Sequence, residues 1–64
     1  MTRQIVQDLK SGEKYAVRFE GNGTVYMSEA LRHTETELNF DDYEYDNEET
    51  EWYNAQEWQV IRNA

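Results

Sequence analysis

Tyr15-Ala16-Val17-Arg18-Phe19-Glu20-Gly21-Asn22-Gly23-Thr24-Val25-Tyr26-Met27 is the stretch on which the fold turns. Its first six residues alternate strictly, with Tyr15, Val17 and Phe19 on one side of an extended chain and Ala16, Arg18 and Glu20 on the other. Gly21-Asn22-Gly23 then supplies residues that accept the positive φ angles of tight hairpin turns. A return strand is predicted from Thr24 to Leu31, with Val25, Met27 and Leu31 on one face; a helical turn over Ser28 to Arg32 is the alternative for its end.

Working outward, Lys10-Ser11-Gly12-Glu13-Lys14 reads as an earlier turn, and Ile5-Val6-Gln7-Asp8-Leu9 before it as a strand or extended segment, although Ile5 and Leu9 also match a helical i, i+4 pair. Beyond a polar connector, Glu37-Leu38-Asn39-Phe40 sets Leu38 and Phe40 on one face, and the aromatic parity then moves to Tyr43 and Tyr45. The shift at Asp41-Asp42 is either a tight hairpin turn or a bulge. After an acidic loop from Asp46 to Glu51, the segment Trp52 to Ile61 is expected to close the sheet as a strand. The expected fold is mainly β: a single-domain antiparallel meander of four to five strands over residues 1–64, either a curled sheet or a partly closed, SH3-like barrel.

A chain of 64 residues buries only about 60% of the surface its unfolded form exposes, so little core is available. With no cysteine there is no disulfide or thiolate metal site to add stability, which makes a homodimer a reasonable expectation. The N-terminus lacks the apolar region of a secretory signal, and nowhere is there a run near the roughly 18 apolar residues of a membrane span. A cytoplasmic protein is expected, without a membrane partner.

The charge is localised. Up to Thr34, five basic residues face four acidic ones, a balance of +1; from Glu35 onward ten acids face Arg62 alone, a balance of −9 within the net −8. Acids serving only solubility would be spread over every exposed face, whereas here nine lie between Glu35 and Glu51. A solvated charge run is the plain alternative.

Enzymatic constellations are missing from this sequence: His33 is the only imidazole, and there is no cysteine, phosphate-binding glycine loop or nucleophile elbow. No catalysis and no cofactor are expected. Asp42, Glu44, Asp46 and Glu48 alternate as calcium ligands do, but an EF-hand loop begun at Asp42 would put Asn47 where glycine is required and Tyr53 where a bidentate glutamate is required. In an extended chain the same alternation spaces carboxylates about 6.6 Å apart on one face. That is on the order of the phosphate spacing along one nucleic-acid strand, with Tyr43 and Tyr45 on the opposite parity.

In size, acidity and absence of cysteine the chain resembles phage-encoded DNA mimics that inhibit host nucleases, restriction enzymes, CRISPR effectors or repair glycosylases; no family motif is matched. The resemblance implies a non-enzymatic inhibitor or regulator in a host cytoplasm, presenting a DNA-mimicking face to the basic surface of a nucleic-acid-binding protein. The expected contact residues are Asp41, Asp42, Glu44, Asp46, Glu48, Glu49 and Glu51 as phosphate surrogates, with Tyr43, Tyr45 and Trp52 as anchors. The alternative is a small SH3-like interaction module, or a phage structural one, in which the acids confer only solubility. Because a surface of carboxylates repels phosphate, the chain is expected to bind neither DNA nor RNA, and a gel shift at moderate salt should leave every nucleic-acid probe at its free mobility.

Overall fold

The computed structural model describes residues 2–28, 39–45 and 47–64. The hairpin read from Tyr15 to Met27 forms: β2 (Lys14–Phe19) pairs antiparallel with β3 (Val25–Met27), setting Val17 opposite Met27 and Phe19 opposite Val25. Gly23 takes the positive φ of 92° that the turn requires. On the other side of β2 lies β1 (Thr2–Asp8), also antiparallel, which confirms the extended reading of the N-terminal segment. The short β4 (Asn47–Glu48) borders β3, and β5 (Trp58–Asn63) borders β1, so the order is β4-β3-β2-β1-β5. Among the described residues this is one antiparallel sheet that does not close into a barrel.

The turn between β1 and β2 is organised by Asp8, which is only 5% exposed. Its Oδ1 accepts hydrogen bonds from the backbone N–H groups of Lys10 (2.8 Å) and Ser11 (3.3 Å), and its carbonyl accepts one from Gly12 N–H at 2.8 Å. Gly12 closes the turn at a φ of 79°. This is the local side-chain chemistry by which aspartate replaces backbone partners in turns.

Adjacent strand residues point to opposite faces, and both faces are covered. Val6, Val17, Val25 and Met27 form a cluster on one, with Tyr15, Phe19, Tyr53 and Trp58 packed against it. Ile5, Ala16 and Phe40 form the cluster on the other, flanked by Tyr43, Tyr45 and Ile61. The first is called below the aromatic face, the second the arginine face. A register shift between Ile5 and Val6 pairs them with Arg62 and Val60, leaving Ile61 as the extra residue of a bulge in β5.

Two expectations are corrected. Phe40 is not in a strand: Phe40–Asp42 is a single 3₁₀ turn, and the phase change at Asp41-Asp42 is neither a hairpin nor a bulge. Asn39 Oδ1 accepts from Asp41 N–H (2.8 Å) while Asp42 Oδ2 accepts from Asn39 N–H (2.9 Å), a reciprocal cap that outcompetes extended pairing. The segment from Trp52 to Ile61 is not one strand either. It begins in the helix α1 (Thr50–Ala55) and becomes extended only at Trp58. Six residues do not hold a helix in water; this one is pinned by Tyr53, which stacks on Trp58 at 4.8 Å and meets Phe19 edge to face at 5.5 Å, and by the Trp58 indole N–H donating to the Tyr53 carbonyl at 2.7 Å. Leu31, the connector with His33, Leu38 and Asp46 lie outside the described residues.

Asp8→Ala should therefore destabilise the fold by about 1 kcal/mol, through loss of the part-buried hydrogen bonds that Asp8 Oδ1 accepts from Lys10 and Ser11. Asp8→Asn, which keeps the Oδ1 acceptor, should lose clearly less; urea denaturation followed by circular dichroism measures both.

Candidate partner-binding site

The acids expected to act together are divided by the sheet. Asp41, Asp42, Tyr43, Glu44 and Tyr45 belong to the arginine face, whereas Glu48, Glu49, Glu51 and Trp52 belong to β4, α1 and their junction beside the aromatic face. Asp46, between the two groups, lies outside the described residues. Asp42 sits in the 3₁₀ turn and Glu48 in β4, so the carboxylates from 42 to 48 are not carried by one continuous strand.

On the arginine face the alternation survives locally without a ladder: Asp42 and Glu44 are exposed, while Tyr43 and Tyr45 are half-buried and meet at 6.4 Å. The acids there have cationic company. Arg3 pairs with Asp41 at 3.0 Å, an exposed bridge with the aspartate side chain 86% accessible. Arg18 pairs with Glu20 at 3.2 Å and lies over the Tyr26 ring at 4.7 Å and the Tyr45 ring at 5.7 Å. Arg62 covers Phe40 at 4.7 Å, with Arg3 over the same ring at 5.9 Å. All four cation–π contacts among the described residues fall on this face.

Beside the aromatic face the balance is different. From Asn47 to Ile61 the chain has Glu48, Glu49, Glu51 and Glu57 and neither lysine nor arginine. Glu48 and Thr50 are joined by a hydrogen bond from the threonine hydroxyl, and Thr50 Oγ1 in turn accepts from Val25 N–H at 2.9 Å, so the junction is tied to β3. Glu49 precedes α1 and makes no side-chain cap to it, but its backbone N–H donates to the Val25 carbonyl at 2.9 Å. Trp52 projects from α1 with 39% of its surface exposed and meets Tyr15 at 5.9 Å and Trp58 at 5.4 Å, both edge to face. Tyr15, Met27, Ser28, Asn47, Glu49 and Trp52 line an open depression of about 360 Å³. A second depression, lined by Glu48, Glu49, Thr50, Glu51 and Trp52, adjoins it through the shared Glu49 and Trp52.

No family model, no curated protein and no solved structure matches the chain.

The first depression brings Trp52 and Glu49, both expected at the contact surface, together with Tyr15, Met27, Ser28 and Asn47, which the sequence did not single out. Tyr15 was legible only as sharing one side of a strand with Val17 and Phe19; its meeting with Trp52 depends on α1 crossing beside β3. Among the described residues no three carboxylate or histidine side chains converge as metal ligands would. No helix among them is long and apolar enough to cross a membrane.

The Tyr15 phenol is pushed up to about 12, first by burial, then by its hydrogen bond to Glu13 Oε2 at 2.7 Å and by the negative charges of Glu13 and Asp8. Burial also raises Tyr53 and Tyr45, the latter against the opposing charges of Arg3 and Arg18. A folded-state value above the unfolded one means that the neutral phenol stabilises the fold fully below pH 10 and that this contribution disappears as pH rises towards about 12. Urea midpoints followed across that interval should fall less steeply in Tyr15→Phe than in the parent chain, because the substituted ring has no proton to lose.

Proposed function

We propose that the chain is a non-enzymatic inhibitor or regulator that docks its carboxylate-rich side on the basic, nucleic-acid-binding surface of a partner protein, its carboxylates standing in for phosphates. The observation that carries this reading is the grouping of Glu48, Glu49 and Glu51 around a part-exposed Trp52, in a stretch from Asn47 to Ile61 without a single lysine or arginine. Carboxylates held near one another on a surface give a long-range field that draws a cationic cleft, and an adjacent tryptophan supplies the kind of anchor that dominates interface energetics. Asp41, Asp42 and Glu44 form a separate negative group on the arginine face, attenuated there by Arg3, Arg18 and Arg62.

A second reading is favoured by the depression between Tyr15 and Trp52: an interaction module that recognises its partner through an aromatic groove, with the acids providing only solubility. The two separate on competition and salt. With the protein immobilised and exposed to bacterial lysate, the mimic reading expects captured proteins to be released by excess duplex DNA and by raised salt, since exposed charge pairs are screened over about 8 Å at physiological ionic strength. Joint substitution of Glu48, Glu49 and Glu51 by lysine should lower capture roughly tenfold or more. Capture that resists both DNA and salt would remove the mimicry and leave the groove-based module.

A further inference from the structure

The two faces treat their aromatic rings differently. On the arginine face, Phe40, Tyr26 and Tyr45 are each covered by a guanidinium from the chain itself. On the other face Tyr15, Trp52, Tyr53 and Trp58 form a continuous set of ring contacts, and among the described residues none of them has an arginine over it. Glu49 instead stands in the wall of the same depression as Tyr15 and Trp52.

Resting on the partner-binding reading above, we infer that this depression is a receptor for a single arginine side chain of the partner protein. A volume of about 360 Å³ is at the small end of ligand pockets and suits one side chain rather than a large cofactor. Its walls combine the two features that recognise a guanidinium: aromatic rings that attract a weakly hydrated planar cation, and a carboxylate able to accept a fork of two N–H donors. Asn47 adds an amide to the rim, and the adjoining depression lined by Glu48 and Glu51 continues the negative surface for basic residues that flank the inserted arginine. Glu49 makes no side-chain cap to α1, so helix capping does not compete for its carboxylate.

The probe is the capped peptide Gly-Gly-Arg-Gly-Gly, compared with the same peptide carrying citrulline, a neutral near-isostere, by NMR titration of the full chain at low salt. The arginine peptide should shift the resonances of Tyr15, Ser28 and Trp52 saturably, and the citrulline peptide should bind about tenfold more weakly or not at all, as expected for loss of a charge-assisted contact. Glu49→Gln, which keeps the shape and the helix start, should weaken the arginine peptide about tenfold. Trp52→Ala, verified as folded by circular dichroism, should do likewise, and Glu57→Gln, which removes a carboxylate outside the depression, should leave it unchanged. No shift with the arginine peptide, equal binding of citrulline, or parent-like affinity in Glu49→Gln overturns the inference. The outcome is separable from that of the mimicry: a chain that seats the arginine peptide but whose captured proteins are not displaced by DNA keeps the pocket and loses the mimicry. DNA-sensitive capture undiminished in Glu49→Gln keeps the mimicry and loses the pocket.

Discussion

Ile5 and Val6, neighbours in the middle of β1, are both fully buried, and so are Ala16, which pairs with Ile5, and its neighbour Val17 in β2. Since neighbours in a strand point to opposite faces, this sheet must be covered twice by a chain of only 64 residues. Much of the remaining architecture follows from that demand. One cover is the aromatic assembly of α1 and the start of β5, where Tyr53 and Trp58 lie over Val6, Val17 and Met27. The other is the segment from Phe40 to Tyr45 with Ile61, lying over Ile5 and Ala16. Large aromatic side chains are suited to such covers, because each buries more area than an aliphatic residue and so spreads a short segment over more of the sheet.

The demand for two covers also sorts the charges. Arg3 and Arg18 share parity with Ile5 and Ala16, and the bulge at Ile61 turns Arg62 to the same side, so the described arginines gather where Phe40, Tyr26 and Tyr45 offer their rings. Their long stems add apolar cover while the guanidinium groups partly neutralise Asp41 and its neighbours. Among the described residues the glutamates around α1 receive no such company. Among the described residues the charge is thus less evenly felt than a count along the chain implies, and Glu48, Glu49 and Glu51 stand at the aromatic depression and the one adjoining it.

How far residues speak for themselves depends on how local their interactions are. The alternation of Tyr15 to Phe19, the glycines of the two turns and the apolar run at Ile5-Val6 act within a few residues, and each of the corresponding strands and turns could be read directly. The 3₁₀ turn at Phe40–Asp42 left a readable trace as well, in the loss of aromatic phase, but Asn39 and Asp42 capping each other is a geometry that two-residue periodicity does not describe. Helix α1 is the opposite case. Thr50 to Ala55 is too short to carry a helical pattern, and Trp52 and Tyr53 belong as readily to a strand.

Strand alternation, turn chemistry and charge counting are local or additive properties, and from them alone the chain reads as a small, mainly antiparallel β protein with its acids concentrated after Glu35. Which acids stand together is a matter of long-range packing. Whether Asp42 shares a surface with Glu48, or Tyr15 with Trp52, depends on which face of the sheet each segment covers, and that is set by packing between residues more than thirty positions apart.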